Sequence, residues 1–508
     1  MLSWIDGYLN KVTMYRIVLY ELLVLLGFSV VYATVGFIHY SALAILFSTL
    51  FITLVSLGAN VVCARVFKAT TNAESAYITA LILALIIAPP SSPTDGAYFS
   101  LAIWAAIWAM AVKYVLAIRN KHVFNPAAFA VALTALAFGQ SANWWVATPS
   151  MLPVVLIGGF LVTRKIRRND LVGSFLAAVL LSIAASAIVQ GVAIGPFVLK
   201  ALVQTPILFF ATVMLTEPLT TPPTRTLRFW YGAIVGFLFA PWVHVGSLYS
   251  TPELALLVGN AFSYAVSPKQ KLLLTLKEKV TTANQTMDFV FSSDRPMPFA
   301  PGQYLEWTLG HDHPDSRGNR RYFTIASAPT EEDIRLGVKF YPNGSSFKNA
   351  LATMSVGDTL VASQLTGDFV LPKDPGEKLA FIAGGIGVTP FRSMIKDLVD
   401  RNETRSVVML YANKTREDIA YADVFQDAKA VGVRTINVVA DPKAVPADWS
   451  GRTGQIDEAM IRADVPDFLD RRWYLSGPHG MVVAFDKTLR RMGVRKSKIK
   501  KDFFPGFA

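Results

Sequence analysis

The chain has 508 residues, of which 53% are hydrophobic and only 17% are charged, and its formal net charge is +12. Soluble proteins carry about 25% charged residues, so this composition excludes a chain that is soluble throughout. The single cysteine, Cys63, excludes an internal disulfide framework and the four-cysteine set of an ordinary iron–sulfur cluster. No metal site is predicted. The basic balance does not indicate nucleic acid, because no motif of aromatic and basic residues accompanies it.

Residues 1 to about 267 are apolar runs with short polar breaks. A membrane span needs about 20 apolar residues, so this part predicts ten spans: 16–38, 41–63, 75–91, 97–118, 124–140, 149–164, 171–190, 193–215, 229–246 and 252–267. Lysine and arginine occur only in every second loop, which indicates an even number of spans with both termini in the cytoplasm. We therefore predict a multi-pass protein of the inner (cytoplasmic) membrane, in contact with the lipid bilayer, with its C-terminal half cytoplasmic.

Few polar side chains lie within these runs. Glu21 is expected to extend its carboxyl group towards the nearer end of its span. Lys200 could do the same or belong to an ion or cofactor path. A haem relay needs paired histidines at suitable depth on facing helices. The histidines of this part lie near span ends, so a haem relay is rejected: His39, His122 and His244.

Three segments of the membrane part carry a family resemblance: SAYITALILALIIAPP, KHVFNPAAFA and TEPLTTPPTRTLRFWYGAIVG. Asn125 suits a helix cap, and Pro126 suits the first helical position. Over most of residues 60–267 the chain resembles the NqrB/RnfD membrane subunits of sodium-translocating NADH:quinone reductase and Rnf complexes. This resemblance implies that a second flavin, FMN or riboflavin, could belong to the membrane domain.

Members of that family can carry FMN on a threonine within a D-x-x-S/T-G-A-T sequence. The nearest segment here, NWWVATP, keeps only the end from Ala147 to Pro149. Two interpretations of this segment therefore stay open. Thr148 carries a covalent flavin, or the segment is an interfacial loop, with Trp144 and Trp145 anchored at the membrane surface.

From Leu272 onward the pattern changes to short strands separated by turns. KLLLTLKEKV, MDFVFSS, QYLEWTLG, YFTIASAP, RLGVKFY and TLVASQLTG predict a small antiparallel β-barrel. After FVLPKDPGEK, apolar strands alternate with helical stretches, which predicts a doubly wound parallel sheet. The predicted domains are a polytopic helical membrane domain (1–268), an antiparallel β-barrel (269–372) and an α/β domain (373–508).

Four motifs follow one another in this second half. RRYFTIAS (320–327) fits the pattern R-x-Y/F-S/T-x-x-S, and KFYPNGSSFKNAL (339–351) predicts a strand followed by a helix. FIAGGIGVTPF (381–391) is a glycine-rich turn, and WYLSGPHGM (473–481) is similar to C-G-P-x-x-M. In this order they resemble the ferredoxin–NADP reductase family, over residues 270–508. The resemblance implies that the barrel (269–372) binds FAD and that the α/β domain (373–508) binds NAD(P).

The first two motifs imply the FAD contacts. Alternation along a strand places Arg321 and Phe323 on one side, where the guanidinium can pair with pyrophosphate and the ring can lie on the isoalloxazine. Thr324 can bond the flavin near N5, where the hydride arrives. A helix that begins near Ser345 offers free N–H groups to phosphate. The full predicted set is Arg321, Tyr322, Phe323, Thr324, Ser327, Gly344, Ser345 and Ser346.

The last two motifs imply the nicotinamide contacts. Thr389 is expected to cap a helix whose first residue is Pro390. Ser476 takes the place of the cysteine that the family has near the transferring carbon, so Thr324 and Ser476 are the predicted catalytic residues. The terminal segment KKDFFPGFA resembles the aromatic segment that covers the flavin. The predicted contacts are Gly384, Gly385, Gly387, Thr389, Pro390, Gly477, Pro478 and Phe504.

These patterns predict a membrane-bound flavoprotein oxidoreductase. Electrons would pass from NAD(P)H through FAD to a quinone, a membrane flavin or a partner electron-transfer protein. In the alternative, the membrane domain is a transporter or anchor that a redox-sensing flavin module regulates. Lys414 and Arg416 could meet the 2′-phosphate of NADPH or be solvated loop charges, so the choice between NADH and NADPH stays open.

Overall fold

The computed structural model describes residues 3–9, 12–68, 73–118, 121–240, 242–267, 271–315, 317–342, 344–447 and 449–502. The chain divides into two compact units, Met1–Gln270 and Lys271–Ala508.

The first unit is built of helices. They are α1 (Ser3–Leu9), α2 (Met14–Thr34), α3 (Ala42–Val66), α4 (Ala73–Ile86), α5 (Gly96–Val115), α6 (Pro126–Phe138), α7 (Leu152–Ile166), α8 (Asn169–Val189), α9 (Ile194–Gln204), α10 (Ile207–Phe209), α11 (Arg225–Leu238) and α12 (Pro252–Val266). A π-helical turn, Phe210–Met214, continues α10. Two short hairpins are formed by β1 (Ala117–Ile118) with β2 (Lys121–His122) and by β3 (His244–Val245) with β4 (Leu248–Tyr249).

Each of the ten predicted apolar segments overlaps a helix, but the helices differ in length. Within the described residues, five are long and apolar enough to cross a membrane: Met14–Thr34, Ala42–Val66, Gly96–Val115, Pro149–Ile166 and Asn169–Val189. A sixth candidate is bent by 64° between Ile194–Gln204 and Ile207–Met214. The predicted count of ten spans is not confirmed. A 14-residue helix such as α4 extends about 21 Å, less than the roughly 30 Å of hydrocarbon.

Two helices of this unit pack backbone against backbone. A Cβ atom on Gly236 of α11 would lie 2.5 Å from the Phe175 carbonyl oxygen of α8, and one on Gly232 would lie 2.8 Å from that of Leu171. Small residues spaced four apart allow apolar helices to approach this closely. The segment GAIVG of the third resembling stretch is therefore a helix-packing surface.

The structure corrects two expectations about this unit. Trp144 and Trp145 are 5% and 3% exposed, and the Trp145 indole N–H donates to the Ala84 carbonyl at 2.9 Å. Both rings pack inside the unit, because burying so large an apolar surface is favourable. Glu21 does not extend to the end of its helix. It is 7% exposed and its carboxyl group lies over Gly158 of α7, where the missing side chain leaves room.

The predicted start of α6 is confirmed. Pro126 is its first residue, and the Asn125 side-chain oxygen accepts the Ala128 N–H at 3.0 Å. This bond satisfies one of the N–H groups that a helix start leaves without an intrahelical partner.

The second unit begins with the predicted antiparallel barrel. Its elements are β5 (Leu272–Ala283), β6 (Thr286–Ser293), β7 (Tyr304–Thr308), β8 (Arg320–Thr324), β9 (Ile334–Lys339), α13 (Ser346–Thr353) and β10 (Thr359–Thr366). The strand order is β8-β7-β10-β5-β6-β9. The Ala326 N–H donates to the Arg335 carbonyl at 2.9 Å, which joins the chain after β8 to β9 and brings the two edges of the sheet together.

The predicted parallel sheet follows. Its elements are β11 (Leu379–Gly384), α14 (Thr389–Asp400), β12 (Val407–Asn413), α15 (Ala422–Asp427), β13 (Val433–Val439), β14 (Arg452–Thr453), α16 (Glu458–Asp464), β15 (Arg472–Ser476), α17 (His479–Arg491) and β16 (Ile499–Lys501). The order is β14-β13-β12-β11-β15-β16, and every pair is parallel. Alternate residues of β11 enter two separate cores, as expected for a sheet covered on both faces. The short strands β14 and β16 were not predicted.

We expect Gly236→Val to destabilise the first unit by about 1–3 kcal/mol, because the new side chain must push apart two packed backbones. The matched control is Gly58→Val in α3, where an added Cβ atom meets nothing within 4 Å. Thermal unfolding of the detergent-purified protein measures the difference. Equal midpoints for the two variants would contradict the packing described for α8 and α11.

Candidate functional site

Strand β8 carries the predicted FAD arginine, which is buried and fully engaged. Arg321 is 6% exposed and donates to the carbonyl groups of Arg317 and Gly318, each at 2.9 Å. The same guanidinium donates to the Asp315 carboxylate at 3.1 Å and lies 5.4 Å from the Phe347 ring centre. The surrounding loop therefore holds this cation in one orientation.

Asp315 also reaches the start of α13. The Ser346 N–H donates to its carboxylate at 3.2 Å, and its own N–H donates to the Ser346 hydroxyl at 2.9 Å. Burial raises the pKa of Asp315, but the Arg317 backbone N–H and the guanidinium groups of Arg321 and Arg317 outweigh that effect and hold the pKa below its usual value. A helix start and an arginine thus converge on one anionic group. We call Arg321, Ser346 and Asp315 the anion cradle.

Other predicted residues of this motif lie around the cradle. Ser345 caps α13 by accepting the Lys348 N–H at 3.3 Å, as expected. Gly344 precedes that cap, and a Cβ atom there would lie 2.9 Å from the Asn349 side-chain oxygen. Both predicted residues thus lie at the start of α13, beside the cradle.

The remaining residues of the flavin motif separate onto two sides of β8. The Phe323 ring centre lies 5.9 Å from that of Phe347, so Phe323 shares the Arg321 side, as the alternation predicts. The Tyr322 side chain points to the opposite side of β8, and its hydroxyl group donates to the Glu306 carboxylate at 2.6 Å.

Two predicted residues are buried where β8 ends. Thr324 is 4% exposed and is the last residue of the strand. Ser327 is 1% exposed, and its hydroxyl group accepts the Arg335 N–H at 3.1 Å. That bond joins two parts of the barrel, so the structure gives the Ser327 hydroxyl a partner within the protein.

The loops that follow β11 and β15 touch one another. A Cβ atom on Gly387 would lie 2.5 Å from the Gly477 Cα atom, and one on Gly384 would lie 2.5 Å from the Met481 sulfur. Glycine is needed at position 387 because a side chain there would meet backbone, whereas at position 384 the flexible Met481 side chain would have to move. Gly385 is different: its φ is +51° and a Cβ atom there would meet open space, so the backbone is bare towards a ligand.

These loops lie at the carboxyl ends of two adjacent parallel strands. From β11 the sheet grows one way through β12, β13 and β14 and the other way through β15 and β16. Ligands of doubly wound sheets bind in the crevice at such a switch point. Pro478 lies at the same crevice, since its Cδ atom is 3.2 Å from a Cβ position on Gly384.

The expected cap of α14 is wrong. The helix starts one residue earlier than expected, so Thr389 is its first residue and Pro390 its second. A short 3-10 helix, Gly385–Val388, leads into it and leaves Val388 at the cap position. The Thr389 hydroxyl group therefore donates backwards to the Ile386 carbonyl at 3.2 Å.

Ser476 has a buried partner that the sequence analysis missed. Its hydroxyl group donates to the Asp502 carboxyl group at 3.0 Å, and the Asp502 N–H donates to the Leu475 carbonyl at 2.8 Å. Burial raises the pKa of Asp502 to about 7, although the Ser476 hydrogen bond lowers it. Asp502 directly precedes the aromatic segment resembling the flavin cover; Phe504 of that segment lies outside the described residues.

The first unit contains a buried polar network. The Glu217 carboxylate lies 3.4 Å from His122 and accepts the Asn125 side-chain N–H at 2.9 Å. The Asn125 backbone N–H donates to Asn260 at 2.8 Å, and Asn260 donates to the Tyr231 hydroxyl at 2.9 Å. Only Asn125 of this network was singled out from the sequence, because the other residues become neighbours through helix packing.

Part of the chain is similar to known proteins. The family described as the oxidoreductase NAD-binding domain matches residues 381–487. The chain is 27% identical to the glycine betaine monooxygenase reductase subunit of Chromohalobacter salexigens over 223 residues, 42% of this chain and 59% of that protein. It is 29% identical to NADH-cytochrome b5 reductase 1 of Ajellomyces capsulatus over 244 residues, 46% of this chain and 77% of that protein. Among solved structures, the Amycolatopsis cytochrome P450 reductase GcoB aligns with 47% of this chain and 70% of its own, at 25% identity and a TM-score of 0.42.

Two predictions are confirmed by these likenesses. The enzyme class is that of an FAD-dependent NAD(P)H oxidoreductase, and the cofactors are FAD and NAD(P)H. The chain spans 59% of the length of the betaine monooxygenase reductase subunit, so its electron acceptor and partner proteins do not follow from that likeness.

We expect Gly387→Ala to raise the KM for NAD(P)H about tenfold or more, because relieving a backbone clash typically costs about 1–3 kcal/mol. FAD content should not change, since the anion cradle is in the barrel. The control is Gly480→Ala in α17, where a Cβ atom meets nothing within 4 Å. If both variants bind the nucleotide like the unmodified protein, the two loops do not need their close approach.

Asp502 should make the second unit less stable as the pH rises from about 4 to 7. The folded state keeps the proton up to a pKa of about 7, whereas an unfolded aspartate releases it near 3.8. The free energy of unfolding falls by on the order of 4 kcal/mol, and this fall is complete above pH 7. Asp502→Asn should remove this slope. Thermal midpoints at a series of pH values measure it, and parallel curves for the two proteins would contradict it.

Proposed function

We propose that the chain is a membrane-bound flavoprotein oxidoreductase. Electrons from NAD(P)H pass through FAD in the second unit to an acceptor in or at the membrane. The acceptor is a quinone, a second flavin in the first unit, or a partner electron-transfer protein. The proposed location is the inner membrane, with both termini and the flavin-binding unit in the cytoplasm.

The observation that carries this proposal is the presence of two ligand-binding arrangements in one unit. The anion cradle lies at the start of α13, and the glycine-lined crevice lies at the ends of β11 and β15. The cradle suits a pyrophosphate because a guanidinium and a helix N–H already bind an anion there, the Asp315 carboxylate. The crevice suits a dinucleotide because Gly385 leaves the backbone open.

The predicted FAD residues can be assigned roles on this basis. FAD, when bound, accepts a hydride and can release its electrons singly. Arg321 and Ser346 would hold its phosphates, sharing their N–H groups with Asp315. Phe323 would offer a ring on the same side of β8, and Thr324 a hydroxyl group at the strand end. Ser476 would face the nicotinamide with its proton directed towards Asp502.

The membrane acceptor is supported by the first unit. Its five long apolar helices and its resemblance to NqrB/RnfD membrane subunits favour electron transfer to the membrane. The alternation of basic loops favours ten crossings, for which the shorter helices would be partial spans or would thin the bilayer around them. The Thr148 hydroxyl oxygen lies 3.3 Å from the Ser150 hydroxyl oxygen. Thr148 stays the candidate position for a second, covalent flavin.

A transporter-like first unit regulated by the flavin module is the second candidate. The observation that favours it is the buried network from His122 through Glu217, Asn125 and Asn260 to Tyr231. Polar and ionisable groups inside a bundle of apolar helices commonly mark an ion or substrate path.

The purified protein should contain FAD and lose its oxidised flavin absorbance when NADH or NADPH is added. In proteoliposomes with the substrate outside, reduction of an added ubiquinone analogue should then follow NAD(P)H oxidation. Acid precipitation separates the two flavin types, because noncovalent FAD stays in solution while a flavin on Thr148 sediments with the protein.

A colourless purified protein would contradict the enzyme proposal. Flavin reduction without any quinone reduction would indicate that the acceptor is a partner protein, or that the flavin module regulates ion transport by the first unit. A potential-sensitive dye in the same vesicles reports whether charge crosses the membrane during turnover.

A further inference from the structure

The two predicted cofactor segments are joined by side chains from the first turns of α14. The Ser393 hydroxyl group donates to the Ser327 carbonyl at 2.7 Å, and the Arg392 guanidinium donates to the Ala326 carbonyl at 3.0 Å. Both carbonyl groups follow directly after strand β8, which ends at Thr324. Helix α14, which begins within the glycine-rich motif, is therefore hydrogen-bonded to the segment that follows strand β8.

Arg392 is fixed by a second set of contacts. Its guanidinium forms a bidentate pair with the Glu331 carboxylate. That carboxylate also accepts the Ala328 N–H at 2.6 Å. Burial lowers the pKa of Arg392, but the hydrogen bonds and charge of Glu331 raise it overall, so the cation persists. The two terminal nitrogens of Arg392 are thus bound to groups of the barrel, which join it to the parallel sheet.

Tyr421 makes a third contact between these two layers. Its hydroxyl group donates to the Asp288 carboxylate of β6 at 2.5 Å, and both residues are buried. The φ of Tyr421 is +58°, a left-handed conformation that costs an ordinary residue roughly 1–2 kcal/mol. The barrel makes room for this contact at Gly337, where a Cβ atom would lie 2.5 Å from the Tyr421 hydroxyl oxygen and 2.8 Å from a Thr389 methyl carbon.

We propose that Ser393 and Tyr421 are positioning residues for hydride transfer. They hold the glycine-rich segment 381–391, which we call the nicotinamide loop, in a fixed position against β8, which we call the flavin strand. This inference rests on the proposed function. The step that they position moves a hydride, two electrons and one proton, from the nicotinamide ring to the flavin. NAD(P)H is oxidised, FAD is reduced, and no further reactant is needed.

Their effect follows from the geometry that the reaction demands. Reacting atoms must lie about 3–3.5 Å apart, and a misplacement of 1 Å can lower the rate about 100-fold. The substitution Ser393→Ala removes the hydroxyl group that donates to the buried Ser327 carbonyl, and the loss of this donor costs about 1–3 kcal/mol. A relative movement of the loop and the strand would relieve that cost and change the distance between the reacting atoms.

The test uses Ser393→Ala and Tyr421→Phe in the full-length, detergent-purified protein. Anaerobic stopped-flow mixing with NADH or NADPH, with hydrogen or deuterium at the transferred position, gives the rate constant of flavin reduction and its isotope effect. We expect each variant to keep its FAD content and its Kd for the nucleotide. The rate constant should fall about tenfold, the equivalent of 1.4 kcal/mol, with a primary isotope effect at least as large as that of the unmodified protein.

Two further variants separate positioning from general damage. Ser393→Thr keeps the hydroxyl group and should restore most of the rate. Ser293→Ala removes a serine-to-carbonyl hydrogen bond of the same 2.7 Å length, from Ser293 to Arg295, but within the barrel alone. It should leave the rate unchanged.

Unchanged rate constants in both test variants would overturn the inference while leaving the proposed function intact. A fall in rate matched by an equal loss of FAD, or shared by Ser293→Ala, would also overturn it. If Ser393→Ala fails to fold, Tyr421→Phe decides by the same measurements. Failure of the unmodified protein to be reduced by either nucleotide would refute the proposed function itself.

Discussion

The contact between Gly387 and Gly477 is the constraint on which the nucleotide-binding half depends. The two loops meet backbone against backbone, with room for no Cβ atom between them. Their approach brings the carboxyl ends of β11 and β15 together and forms the crevice where a dinucleotide would lie. It also sets the start of α14, whose Ser393 and Arg392 bond to the carbonyl groups after the flavin strand. One close approach thus connects the sheet, the crevice and the barrel.

Charge in the barrel follows a second constraint. Arg321 is buried, so its cation needs partners within the protein. It finds them in two loop carbonyls and in Asp315, which also accepts a helix N–H. Asp502 is the opposite kind of group: its side-chain partner is the neutral Ser476 hydroxyl, and its raised pKa reflects its burial.

The sequence predicted what depends on local pattern and missed what depends on tertiary contact. Strand alternation and apolar runs predicted the barrel, the parallel sheet and the shared side of Arg321 and Phe323. The ten-span count is not confirmed, because hydropathy measures composition and not helix length. Thr389 was misplaced because a 3-10 turn precedes α14. Asp315 and Asp502 were missed because their partners lie 31 and 26 residues away, and no local motif marks such pairs.

The proposed electron path begins with the reduction by NAD(P)H of a flavin held by the second unit. Anaerobic mixing of the purified, full-length protein with NADH or NADPH tests this step most directly, with the flavin absorbance followed over time. We expect stoichiometric loss of the oxidised flavin band with at least one of the two nucleotides. A protein that holds FAD but keeps that band oxidised in an excess of both nucleotides would contradict it.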